Sequence, residues 1–173
     1  ELTFRQALGA FHERYLQALA FAAIEAGSTV LPEEDARRAV LKAARVLAAE
    51  GQMESTPAPE DVLAALTARH LLVRSSEASQ VSYSFPHQEF RDWYASFHME
   101  RQLMAEPPWP LPARIAEIVD TPACKGALLF AAERLSRGGE RGATAISQPV
   151  AGTLPIAPML GAAILRRSDP SVW

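Results

Sequence analysis

Cysteine is almost missing: Cys124 is the sole one in 173 residues, which excludes an internal disulfide framework and a multi-cysteine zinc site. Long apolar runs are missing too. Charges or prolines interrupt every candidate before the ~20 residues that a bilayer span needs. Nor is there a surplus of positive charge. Seventeen Lys plus Arg stand against 20 Asp plus Glu, a net charge of −3, and non-specific nucleic-acid binding needs a dense basic face. The motifs of catalysis and nucleotide binding are absent as well. There is no Gly-x-x-x-x-Gly-Lys-Ser/Thr, no Gly-x-Gly-x-x-Gly, no His-Glu-x-x-His and no Gly-x-Ser-x-Gly. His87 and His98 lie eleven residues apart, about three helical turns, too far to share a metal. Cys124 has no nearby histidine and reads as a small buried apolar residue; His12 and His70 read as structural. This chain alone is expected to be no enzyme and to hold no metal or cofactor.

What is present is material for a core. The chain is 49% apolar and 21% charged, and 32 residues are alanine, the best helix former, so the prior moves to a mainly α fold. It begins at Glu1 rather than Met and reads as an excised piece of something longer. Residues 1–104 carry 10 basic and 14 acidic side chains and four of the 13 prolines. The run Pro107-Pro108-Trp109-Pro110-Leu111-Pro112 lacks most of its backbone donors, so 105–112 reads as a stiff connector. It separates a domain over 1–104 from a segment over 113–173.

In the first part, Phe4, Leu8, Phe11, Tyr15 and Leu19 recur at helical spacing and predict a helix over 3–26, ended by Gly27. Pro32 suits the first position of a second helix, and Glu33, Glu34 and Asp35 suit the positive end of its dipole. Val40, Ala44 and Leu47 form its inward stripe, and Gly51 closes it. Glu60 and Asp61 open a third helix over 59–70, with Val62, Leu63 and Leu66 inward. The period then changes. Leu71–Ser75 and the alternation Val81, Tyr83, Phe85 predict two antiparallel strands around a Glu77–Gln80 turn. After Pro86 the helical period returns over 87–104, with Phe90, Trp93, Tyr94, Phe97, Arg101 and Met104 along one side. Three helices, a β-hairpin and a further helix are the element order of a winged-helix-like bundle. Beyond the connector, 113–120, 122–137 and 155–167 read as helices and 140–154 has no clear period. That segment is a helical appendage or the start of helical repeats.

One place combines a strand, a histidine and an aromatic helix: Tyr83-Ser84-Phe85-Pro86-His87-Gln88-Glu89-Phe90-Arg91-Asp92-Trp93-Tyr94-Ala95. At a helix start the imidazole feels the positive dipole end, which favours its neutral form or a nearby anion. The plainer alternative is a partly buried histidine bonded to backbone at the corner. The run Phe85 to Ala95 resembles the end of the winged-helix domain of NACHT-type (STAND) signal-transduction NTPases, the class that includes NOD-like receptors. Residues upstream fit as well: the helix after Leu31-Pro32, and Val62-Leu63-Ala64-Ala65-Leu66 running into Leu71-Leu72-Val73-Arg74. The likeness covers roughly residues 5–104, and Pro86 departs from the residue usual before the histidine.

The resemblance implies a cytoplasmic regulatory segment whose parent binds ADP or ATP with Mg on a separate, upstream phosphate-loop domain. His87 would contact the β-phosphate of ADP in the closed state. Phe90, Trp93, Tyr94 and Phe97 would anchor the helix that carries motion to a downstream sensor, and the parent would oligomerise on activation. Two rivals share the architecture. A DNA-binding winged helix would need a basic third helix, whereas 59–70 sets Glu60 and Asp61 against Arg69. A plain protein-interaction domain would use exposed aromatics such as Trp109 and Trp173 as anchors.

Overall fold

The structure, a computed structural model, describes residues 8, 11–53, 55–77, 80–104, 121–153, 155 and 157–170. The fold is mainly helical with one small antiparallel sheet, and the chain divides into two compact units, Glu1–Tyr94 and Ala95–Trp173. The expected connector at 105–112 and the expected helix at 113–120 lie outside the described residues.

In the first unit, helix α1 (His12–Glu25) buries Tyr15, Leu16, Leu19 and Ala23. The single helix expected over 3–26 does not run through Phe11, which has φ −102° and ψ 11° and stands at the N-cap, with Leu8 helical and buried before it. Gly27 ends α1 as expected. It takes φ +61°, and the Gly27 and Ser28 N–H groups donate to the Ile24 and Ala23 carbonyls at 2.9 and 3.0 Å. That pair of reversed bonds satisfies carbonyls the helix leaves over, and the left-handed position suits glycine.

Strand β1 (Val30–Pro32) follows and was not foreseen. Three residues are too few to show alternation, and only Leu31 points inward. Pro32, with φ −53° and ψ 148°, is the N-cap of helix α2 (Glu33–Ala49) rather than its first residue, because it still belongs to the strand. Glu33, Glu34 and Asp35 fill the first turn, and Ala36, Val40, Ala44 and Leu47 face the core. Helix α3 (Pro59–Ala68) starts on Pro59 and buries Val62, Leu63 and Leu66.

Strands β2 (Val73–Glu77) and β3 (Gln80–Ser84) pair antiparallel from Val73↔Ser84 to Glu77↔Gln80. Glu77 and Gln80, expected in the turn, are thus the last rung of the ladder. The sheet order is β1-β3-β2, with Leu31 opposite Tyr83. Helix, strand, two helices and a hairpin make a winged-helix-like bundle, built on a core that runs from Leu8 through Leu47 and Leu66 to Tyr83. Helix α4 (Gln88–Leu103) leaves the sheet, and its later residues belong to the second unit.

The second unit adds α5 (Pro122–Ser136), α6 (Gly139–Thr153) and α7 (Pro158–Arg167), which pack on one another. Helix α6 occupies the stretch in which no period was read, since Ile146 and Val150 are its large buried residues and its remaining positions are mostly small or polar. Gly142 brings α6 onto the end of α5. A Cβ there would lie 3.0 Å from the Leu135 carbonyl carbon and closer still to its oxygen.

Candidate functional site

The corner between β3 and α4 forms where Pro86 ends the strand. Pro cannot donate to the ladder, so pairing stops at Ser84 and the chain turns. The His87 carbonyl then accepts the first bonds of α4, from the N–H groups of Phe90 and Arg91 at 3.2 and 3.4 Å. The backbone of His87 is committed to the helix. Its side chain is exposed and lies beside the Phe90 ring, with centroids 5.8 Å apart and planes at 33°. The imidazole therefore stands at the positive end of a 16-residue helix, open to solvent, with one face lined by an aromatic ring.

The four aromatics expected to pack α4 do not share one environment. Phe90 and Trp93 are 51% and 38% exposed. Tyr94 is partly buried against the first core, and its ring lies 6.3 Å from that of Phe85. Phe97 is partly buried under the Arg134 guanidinium, 4.0 Å from ring centroid to guanidinium carbon. The buried stripe of α4 is instead Arg91, Asp92, Ala95, Ser96, Met99 and Leu103. Helical spacing fits either face. The buried one starts with two charges, which on their own mark a solvent-facing side.

Those two charges cancel each other. Arg91 Nε and Nη2 donate to one Asp92 oxygen at 3.0 and 2.8 Å, and both residues are nearly sealed, at 3% and 5% exposure. Arg91 Nη1 lies 3.5 Å from the Ser28 carbonyl, in the turn between α1 and β1. The Ser28 hydroxyl in turn bonds the N–H and C=O of Val30, at 3.1 and 2.8 Å. A polar chain, buried at Arg91 and Asp92 and reaching the surface at Ser28 and Val30, thus links the first turn of α4 to the start of β1, next to the corner that presents His87. Arg91 and Asp92 were missed as site-supporting residues. Their only signal in the sequence was two opposite charges side by side within an aromatic helix.

The surface that a DNA-binding winged helix would present is poor in cations. The exposed side chains of α3 include Glu60, Asp61, Ala64 and Ala68, and Glu60 is ion-paired with Arg37 of α2. Among the described residues no group of three His, Cys, Asp or Glu side chains is placed to hold a metal ion. No helix among them is long and apolar enough to cross a membrane. Cys124, the sole cysteine, is partly buried and in no disulfide, and Trp109 and Trp173 lie outside the described residues. Comparison with protein-family models, curated proteins and solved structures gave no match.

Proposed function

We propose that this chain is a non-catalytic regulatory segment of a NACHT-type (STAND) nucleotide switch. In this reading it closes over a nucleotide held by an upstream phosphate-loop domain of the same cytoplasmic protein and relays the ADP/ATP state downstream. The observation that carries the reading is His87. Its imidazole is exposed at a helix start while its backbone is held by the helix it opens, next to the Arg91–Asp92–Ser28 chain. A rigid backbone with a free side chain suits a group that contacts an anion in one state and leaves it in another. Helix α4, which begins at that corner and ends in the second unit, is the relay. Mg and the nucleotide belong to the parent's other domain, as does the phosphate loop. Activation would open this contact and permit assembly of the parent.

A DNA-binding role is disfavoured by the acidic and alanine side chains exposed on α3. A plain interaction module is favoured by the exposure of Phe90 and Trp93, because large aromatics are common anchors of protein interfaces. The two surviving readings part at the genome. A Gly-x-x-x-x-Gly-Lys-Ser/Thr loop encoded upstream in the same frame is expected for the switch. Its absence there removes the switch and leaves the interaction module.

A further inference from the structure

Within the second unit, one side chain of α5 meets three residues of α4. Arg134 donates from Nε to Glu100 Oε2 at 2.8 Å and from Nη2 to the Ser96 hydroxyl at 2.8 Å. Its guanidinium carbon lies 4.0 Å from the Phe97 ring centroid. Ser96, Phe97 and Glu100 sit within about one turn of each other, so a planar fork that meets all three fixes both the height and the rotation of α4. Apolar contacts tolerate sliding. A charged, hydrogen-bonded fork holds in one register or is lost.

The neighbouring helices do not depend on that fork for a core of their own. Helices α5, α6 and α7 pack on one another and bury Leu128, Leu135, Ile146, Val150, Leu160 and Ile164. The hydrophobic core of the first unit likewise closes without any buried member beyond Tyr83. The last two turns of α4 bury Met99 and Leu103, and the Arg134 fork adds the directional, polar contacts that set the register of those turns.

We propose that Arg134 is a releasable latch. It holds residues 96–103 of α4 against α5, and its loss frees those turns while the α5–α7 bundle stays folded. The latch is a device of the fold and stands whatever His87 touches. Amide hydrogen exchange on the whole chain reads both segments at once. Arg134→Leu keeps the side-chain bulk and removes the fork, so residues 97–103 exchange about tenfold faster or more, the loss expected for charge-assisted bonds. Residues 128–135 and 146–150 keep their protection. Glu100→Gln removes one charge at constant shape and gives a smaller loss over the same residues, and it decides the matter if the Arg134→Leu chain does not fold. Equal losses in the two segments would make Arg134 an ordinary support of the bundle and overturn the latch. Unchanged exchange over 97–103 would overturn it as well.

Discussion

His70 ends α3 in the left-handed region, at φ +57°, the one non-glycine described residue to do so. Its N–H donates to the Thr67 carbonyl and the Leu71 N–H to the Leu66 carbonyl, both at 3.0 Å, the pattern that Gly27 and Gly51 serve elsewhere. A side chain with a Cβ is strained there, so His70→Gly raises stability by about 0.5–1 kcal/mol, read as a higher denaturant midpoint at constant slope. Arg91 behaves in the opposite sense. Removing it strands the buried Asp92 carboxylate, and Arg91→Ala lowers stability by about 3–5 kcal/mol. An Arg91→Met, Asp92→Leu double variant lies much nearer wild type in the same unfolding measurement, because no charge is left uncompensated. Neither residue was legible as buried, since a single sequence shows two charges and not their mutual cancellation. His70 was legible as a helix-end residue, but its backbone conformation was not.

Two phenols couple the stability of the fold to alkaline pH. Burial raises the Tyr15 hydroxyl above its ordinary value, and burial followed by the Glu13 carboxylate raises that of Tyr94. The unfolded chain then loses these protons first. Their contribution is complete below about pH 10 and is lost as pH rises through the higher folded-state values. Ultraviolet tyrosine titration is expected to show two late-ionising phenols whose ionisation coincides with loss of helicity by circular dichroism. Tyr94→Phe shifts that loss to higher pH.

At the scale of elements, the helices that follow a proline were readable: α2 between Pro32 and Gly51, α3 from Pro59, and α4 after Pro86. The hairpin was readable from Val81, Tyr83 and Phe85, and its register placed Glu77 and Gln80 in the ladder. Strand β1 was not, because three residues carry no period and its pairing with β3 is a tertiary choice. Helix α6 was hidden by its small residues, and the reason for one of them is steric. Gly142 meets the Leu135 backbone so closely that Gly142→Ala forces α6 away from α5. That displacement costs about 1–3 kcal/mol, the range for overpacking, despite the better helix propensity of alanine. Thermal unfolding followed by circular dichroism is the check, and an unchanged or higher midpoint would mean the approach is looser than the structure has it.

At the scale of the molecule, the candidate site was legible as a corner, with a strand, a histidine and an aromatic helix in that order. What surrounds the corner was not legible. The aromatics Phe90 and Trp93 turn outward, and Arg91 and Asp92 turn inward to hold the turn before β1. The side chain that would touch the anion is thereby separated from the side chains that hold the fold. An exposed residue contributes little to stability, so His87→Ala shifts the unfolding free energy of this chain by no more than about 0.5 kcal/mol. On the proposed reading, the same substitution in the parent protein would remove a charge-assisted bond made only in the closed, ADP-bound state. The decisive measurement is the rate of ADP release from the parent with and without His87→Ala. Release about 10- to 150-fold faster in the variant, with this chain's stability unchanged, is the expected result. Equal release rates would contradict the switch role of His87.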